Sequence, residues 1–335
     1  MLYYNKGCVY MDTRLYKDKI PHVKNNCRSG QYLYTTNCST LEKGLCGLEM
    51  KCLFGIDLNR KDFFTNIYVE SSRSPFIKHC ISILYAASSL EALQENIRAD
   101  KLSADKYKVY YINVEGEIPS FHEARTAERE AGKCILGEAE LDKPATIFGI
   151  TKKEGCWIFG CCESNDYHWQ KHKIKPFSYS NSLSVEVSRA LVNIAVPAIG
   201  STTLIDPCCG VGTVVVEALD QGIDVEGYEL NICIGWNAKK NLEHFGFKSV
   251  ITVGDMHIIE KHYDAAVLDL PYGVFSTIKP GEQMALIKHT RKIAGRAVII
   301  TFEEMSETIS GCGFRITDTC TVSKGKFTRH IYLCA

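Results

Sequence analysis

Residues 204–213 read LIDPCCGVGT, and residues 267–273 read VLDLPYG. Each is an apolar run that ends in an acid and a glycine-bearing turn. A short apolar run bounded by turn residues fits a strand buried on both faces, as in a parallel sheet. The surrounding segments alternate as such a sheet requires. SVEVSRALVNIAVP (184–197) reads as an amphipathic helix closed by Pro197, and GTVVVEALDQG (212–222) as a helix with Gly222 just past its end. DVEGYEL, SVITVGD, YDAAVLDLP and RAVIITF predict strands; NICIGWNAKKNLEHFGF and EQMALIKHTRKIA predict helices between them. FRITDTCTVSKGKFTRHIYLCA predicts two strands about a turn at Lys324–Gly325. From Ser184 onward this pattern predicts a parallel sheet covered on both faces, with an antiparallel edge.

Ligands of open α/β sheets sit beyond the carboxyl ends of the strands. LIDPCCGVGT feeds a strand into a glycine turn and then a helix, and Gly210 and Gly212 let the backbone approach a ligand closely. The turn is not a P-loop, since no Gly-Lys-Ser/Thr follows. It also misses G-x-G-x-x-G, with Val215 at the third glycine position. Asp206 in front of the turn repels a phosphate and suits a cationic or amino-bearing ligand. Glu229 ends the next strand, 23 residues after Asp206, the spacing at which a carboxylate grips a ribose diol. Asp255 and Asp269 end the following two strands. Acids at strand ends are common turn formers; four in register beside a glycine loop point to a site.

The 335-residue chain suits two domains, and 45% hydrophobic with 23% charged residues is a globular composition. No apolar run approaches the roughly 18–20 residues of a membrane span, and the N-terminus shows no secretory h-region, so the expected location is cytoplasmic. The sixteen cysteines include no C-x-x-C pair and read as reduced, mostly buried thiols; no metal site is expected. Basic and acidic residues balance at 39 each, which weighs mildly against a nucleic-acid partner, although HWQKHKIKP (168–176) is a local basic cluster.

Upstream, short strands and helices mix as in α+β folds with ferredoxin-like pieces. QYLYTTNC, FFTNIYVES and YKVYYINVE predict strands. TLEKGLCGLEMKCLF predicts a helix with Thr40 as its N-cap, and residues 75–98 a helix broken near Ser88–Ser89. SFHEARTAEREAGKCIL predicts a helix with Ser120 and Glu123 as a capping box. ATIFGITKKEGCWIFGCCE predicts a hairpin turning at Lys153–Gly155, and the polar stretch 163–182 predicts a linker.

DPCCGVGT…GYEL…GDM…DLPYG resembles the class I S-adenosylmethionine-dependent methyltransferases that methylate amino groups. The flanks KPFSYSNSLSVEVSRALVNIA and KGKFTRHIY are similar to the tRNA guanosine N2-methyltransferases acting at position 10, a family of the UPF0020 type. YLYTTNCSTLEKGLCGLEMKCLFG resembles their ferredoxin-like N-terminal domain, and CILGEAELDKPATIFGI the closing part of a THUMP domain, an RNA-binding module. The resemblance implies an α/β chain: a seven-stranded Rossmann-like methyltransferase domain at 181–335, preceded by an N-terminal extension (1–30), a ferredoxin-like domain (31–75), a THUMP-like domain (76–162) and a linker (163–180). It implies S-adenosylmethionine as cofactor and tRNA as partner. Eukaryotic members use a small activator protein and archaeal ones act alone; the residues indicate neither.

By the same resemblance, Asp206, Gly210 and Gly212, with Thr213 beside them, line the methionine end of the cofactor. Glu229 holds the ribose, with Leu230 next to it. Asp255 and the Met256 backbone meet the adenine. Asn181 and Ser182 belong to the preceding cofactor-contacting segment, and Asp269, Leu270, Pro271 and Tyr272 form the target-base pocket. An exocyclic amine is a poor nucleophile because its lone pair is delocalised into the ring. Asp269 and the Leu270 carbonyl accepting its two N–H groups favour the pyramidal nitrogen, and Tyr272 stacks on the flipped base. The family has proline where this chain has Leu270, so a fixed φ is lost, an N–H is added and a looser pocket is expected. The same pocket type serves adenine N6 and cytosine N4 in DNA and guanine in rRNA, and a non-catalytic RNA-binding protein on this fold is a further alternative. Trp157 and Trp169 read as packing before RNA stacking, His168, His172 and His289 lack ligand spacing, and Arg329 reads equally as a substrate contact or an ion pair.

Overall fold

The computed structural model describes residues 30–179, 182–271, 280–324 and 327–335. Asn181, Tyr272, Gly325 and the first 29 residues lie outside the described residues. In the first half the elements run β1 (Tyr32–Thr36), α1 (Lys43–Phe54), β2 (Asp62–Thr65), β3 (Ile77–Ala87), α2 (Leu90–Ala99), β4 (Tyr107–Tyr111), α3 (Phe121–Gly132), β5 (Thr146–Lys153) and β6 (Cys156–Ser164). There follow α4 (Val185–Ala195), β7 (Thr203–Asp206), α5 (Thr213–Asp220), β8 (Asp224–Glu229), α6 (Ile232–His244), β9 (Ile251–Val253), β10 (Tyr263–Asp269), α7 (Pro280–Ile293), β11 (Ala294–Thr301), α8 (Ser306–Gly311), β12 (Ile316–Lys324) and β13 (Phe327–Cys334). Among the described residues no helix is long and apolar enough to cross a membrane.

The chain forms two compact units. One holds the described residues up to Asn37, Asn59–Ser71 and Ile77–Asp166. Its six strands form a single sheet in the order β2-β1-β3-β6-β5-β4, with only β4 and β5 parallel. Strands from residues 31–75 and from 76–162 share this one sheet, with Leu33 of β1 opposite Ile81 of β3. The helix expected over 75–98 is an eleven-residue strand followed by α2. Ile77, Ile81 and Ile83 are β-branched, and this central strand is buried on both faces, so it lacks the alternation that would have marked it. Ser89 caps α2 by accepting the Ala92 N–H at 3.1 Å. The Ser120–Glu123 capping box is present on α3. Thr40 is not a cap: it opens a 3-10 turn, and Ser39 precedes it.

The second unit comprises Cys38–Leu58, Ser72–Phe76 and Tyr167–Ala335. Its seven strands run β12-β13-β11-β10-β7-β8-β9. β7 to β11 are parallel and β13 is antiparallel to β11, the edge that the sequence leads one to expect. Strand order reverses between β7 and β10, and such a switch point opens a crevice outside the carboxyl ends of the two strands. Leu204, Ile205, Ala266, Val267 and Leu268 are fully buried there.

Helix α1 belongs to this second unit, not to an N-terminal domain. Its Glu49 is buried and accepts from Asn193 Nδ2 at 2.6 Å and Ser74 Oγ at 2.7 Å. The first residues of the expected linker end strand β6 at Ser164, and from Tyr167 onward it is part of this second unit. Residues His168–Ile174 form a 3-10 helix whose Trp169 and His172 are buried. Arg189 of α4 donates to Glu217 and Asp220 of α5 at 2.8 and 3.0 Å, and His172 Nδ1 meets Glu217 at 2.6 Å. A polar stretch looks solvated in sequence when its charges are paired inside the fold. The described cysteines other than Cys161 are free, as the expectation of reduced thiols has it.

Candidate active site

The chain leaves β7 at Asp206 and enters α5 at Thr213 through the glycine loop. Gly210 and Gly212 have φ of 54° and 81°, left-handed values that side chains other than glycine rarely adopt. A Cβ on Gly212 would also lie 3.2 Å from Leu242 Cδ1, whereas one on Gly210 would meet nothing within 4 Å. Gly210 thus leaves an open side toward the crevice. The loop is held by backbone bonds, Cys209 N–H to Tyr228 O and Gly212 N–H to Cys209 O, both 2.8 Å.

Glu229, at the end of β8, accepts the Gly210 N–H at 3.0 Å on one oxygen and the Asn231 N–H at 2.8 Å on the other. It therefore links the glycine loop to the start of α6. Each carboxylate oxygen keeps a second lone pair for a hydroxyl. Leu230 beside it is 71% exposed. Asp255, after β9, accepts both the backbone N–H of His257 at 2.9 Å and its ring Nδ1 at 2.7 Å on the same oxygen. The His257 backbone N–H, and then its ring, hold the Asp255 carboxyl below the usual range. The Met256 side chain is buried behind it. Ser182 donates its N–H and Oγ–H to the Tyr179 carbonyl at 3.1 and 2.8 Å, and Thr213 Oγ1 accepts from Lys175 Nζ at 2.9 Å.

The two acids at the switch point are electrostatically unlike the rest. Burial pushes the Asp206 carboxyl well up, and the nearby Asp269 and Glu229 charges push it further. A Cys208 N–H at 3.4 Å is the only hydrogen bond given to it among the described residues. Burial raises Asp269 to about 7, opposed by the Arg329 charge. Its Oδ1 is buried and has no hydrogen-bond partner among the described residues. Leaving a buried acceptor unmatched costs about 1–3 kcal/mol, so this atom is a vacant place for a donor. Cys208 and Cys209 are held neutral by burial and the surrounding acids, which removes them as thiolate nucleophiles.

Leu270 is fixed at both ends. Its N–H donates to Ile300 O of β11 at 3.0 Å, and its side chain is buried in the core with Ile205, Leu286 and Ile287. The donor that leucine adds relative to proline extends the ladder by one bond, at the position where a proline would instead fix φ by its ring. The Pro271 carbonyl accepts a long bond from Gln283 Nε2 at 3.5 Å. Arg329 of β13 lies 5.0 Å from the Phe302 ring centroid. The structure thus brings Asp206, Gly210, Gly212, Glu229, Asp255, Asp269 and Leu270 to one rim, with Asn181 and Tyr272 outside the described residues.

Sequence reasoning missed Asn241, a buried residue of α6 that bonds the Val211 carbonyl inside the glycine loop. Its only signal is a polar residue of low helix propensity in a helix interior. His172, Glu217 and Asp220 bring ligand atoms within 4.8 Å of one another. Arg189 already supplies a cation to both carboxylates there, which makes the cluster an ion network rather than a metal centre. Trp169 packs in this network, with Arg189 6.0 Å from its ring. In the six-stranded unit, Trp157 meets Tyr111 edge-on at 6.5 Å and lines a cavity of about 670 Å³ with Ile118, His122 and Lys152.

Residues 172–305 match the family described as UPF0020: RMKL-like, methyltransferase domain. The chain is 27% identical over 201 residues to a tRNA (guanine(10)-N2)-dimethyltransferase of Methanothermobacter thermautotrophicus, covering 56% of this chain and 58% of that one. It is 29% identical over 181 residues to the protein of the same name from Pyrococcus abyssi, covering 50% and 54%. It therefore spans somewhat over half the length of these relatives. The crystal structure of TrmN from Thermus thermophilus aligns over 91% of this chain and 99% of its own, at 16% identity and a TM-score of 0.45.

Proposed function

We propose, taking the methyltransferase-domain match of residues 172–305 as premise, that this chain transfers a methyl group from S-adenosylmethionine to the exocyclic N2 amine of a guanosine in tRNA. The observation that carries the reading is the buried, unmatched Oδ1 of Asp269 at the switch point. It is supported by the names of the two archaeal relatives, which are tRNA guanine-N2 enzymes.

The residues at the rim fit the donor's chemistry. Burial, and then the Asp269 charge, raise the proton affinity of Asp206, and a ligand bearing positive charge relieves that repulsion. S-adenosylmethionine supplies a methyl group made electrophilic by its sulfonium. Asp206 and the loop of Gly210, Gly212 and Thr213 would hold its amino-acid end, with Asn181 and Ser182 from the preceding segment. Glu229 would accept from the ribose hydroxyls, with Leu230 against the sugar, and Asp255 with the Met256 N–H would read the adenine edge.

Asp269 and the Leu270 carbonyl then accept the two N–H groups of the target amine, and Pro271 and Tyr272 border the base. Holding both hydrogens draws the nitrogen lone pair out of conjugation and aims it at the methyl. The nitrogen carries a surplus proton once methylated, and a carboxyl poised at about 7 takes it up at neutral pH. The six-stranded unit, with Trp157 on its cavity, is the THUMP-like part that would hold the tRNA. The enzyme would work in the cytoplasm, alongside that substrate.

The test is methyl transfer from labelled donor to tRNA, rRNA and duplex DNA, followed by nucleoside analysis. N2-methylated guanosine in tRNA is the expected product. Label found only in DNA as N6-methyladenine, or in no nucleic acid at all, would overturn the reading.

A further inference from the structure

Residues 175–179 form a strap without regular structure apart from a bend at Pro176. Three side chains of α6 reach it from one helix face, at positions i, i+3 and i+4. Asn237 Nδ2 donates to the Tyr179 hydroxyl at 3.3 Å. Lys240 Nζ lies 5.5 Å from the Phe177 ring centroid. Asn241 makes the closest set: its Oδ1 accepts the Phe177 N–H at 3.0 Å, and its Nδ2 donates to Phe177 O and Val211 O, both at 2.9 Å.

The Asn241 side chain is fully buried, and both of its hydrogens and its carbonyl oxygen are used. An apolar residue would fill the same helix face with better helix propensity. The asparagine therefore needs another explanation, and its partners give one. Val211 stands between the two left-handed glycines, and Phe177 belongs to the strap that leads to Ser182. At the strap's other end Lys175 Nζ bonds Thr213 Oγ1, the residue that opens α5. The strap is thereby fastened to the middle of the glycine loop through Asn241 and to the residue that follows it through Lys175.

We propose that Asn241 is a positioning residue for donor binding. Its amide fixes the Val211 carbonyl, and with it the backbone of Gly210 to Gly212, in register with the strap. This rests on the donor reading given above. It predicts that loop and strap respond to the donor as one body.

The test pairs calorimetry of S-adenosylmethionine with hydrogen exchange and steady-state kinetics, on the full chain and on Asn241→Asp. The aspartate keeps the shape but removes both donor hydrogens and faces two carbonyls. Its donor Kd and donor KM should rise at least about ten-fold, while turnover at saturating donor and the KM for tRNA stay near the parent values. In the parent protein, donor should slow exchange at the glycine loop and at the Phe177 amide together. A folded Asn241→Asp that binds donor like the parent overturns the proposal, as does donor protection of the loop without protection of Phe177. The parent-protein exchange decides if the variant does not fold. A parent protein that takes up no donor removes the functional reading and this inference with it; a parent that binds, beside an indifferent variant, removes only the inference.

Discussion

The seven-stranded unit buries two groups of acids and treats them in opposite ways. Glu217 and Asp220 share Arg189, His172 and the cations around them, and burial is offset by pairing. Burial raises the Asp220 carboxyl, but the Arg189 hydrogen bond and charge outweigh it and leave the carboxyl low. Asp206 and Asp269 lie near each other and are pushed up by burial, with the Arg329 charge only partly offsetting the rise at Asp269. A fold that neutralises one set of buried acids and leaves another short of partners is keeping the second set for something it binds.

Breaking the paired set should have the largest effect on the protein itself. Arg189→Met leaves two buried carboxylates without their cation and should lower unfolding free energy by about 3–5 kcal/mol, read by urea denaturation. Near-parental stability would mean that the network is not what seats residues 168–174. The unpaired set should behave in the reverse sense. Asp269→Asn should reduce methyl transfer by about 10²–10³-fold with donor affinity close to the parent's, measured by single-turnover transfer and calorimetry. It should also stabilise the donor-free protein at pH 8. An acid whose folded pKa is raised contributes stability that is present at low pH and lost as pH rises through the folded value, here about 7; asparagine removes that loss.

The same linkage sharpens the contrast in the parent protein. Asp269 and Glu49 are both raised to about 7 by burial. Raising pH from 6 to 8 should therefore lower donor-free stability by about 2–3 kcal/mol for the two groups together, followed by thermal melts in both buffers. A higher melting temperature at pH 8 would contradict the protonated state assigned to them. The smallest effect is expected at the turn. Leu270→Pro removes the bond to Ile300 O and should cost about 1 kcal/mol, while the carbonyl proposed to meet the substrate amine is retained, so transfer should change by no more than a few-fold. Complete loss of transfer would show that the hydrogen-bonded turn, not the carbonyl alone, sets the pocket.

The rim itself was legible because parallel strands in a doubly covered sheet leave a distinct trace. LIDP, GYEL, VGD and VLDL are apolar runs that stop at acids, and Gly210 and Gly212 mark the turn. What the sequence hid were features created by distant partners. β3 looks like a helix because it is central, paired on both edges by β1 and β6, and buried on both faces, so its residues do not alternate. Residues 168–174 look like a linker because their charges meet acids about 45 residues away on α5. Helix α1 carries no sign that Glu49 will meet Asn193 on α4. The Leu270 N–H found a carbonyl on β11 that spacing alone does not reveal.

The most direct measurement is titration of the parent protein with S-adenosylmethionine near pH 7 in two buffers of different ionisation heat. Carboxyls held protonated mainly by burial should ionise when a cationic donor arrives, so binding should be accompanied by net proton release. Absence of binding heat, or binding heat that shows no release in either buffer, would contradict the assignment of Asp206 and Asp269 to the donor and the amine.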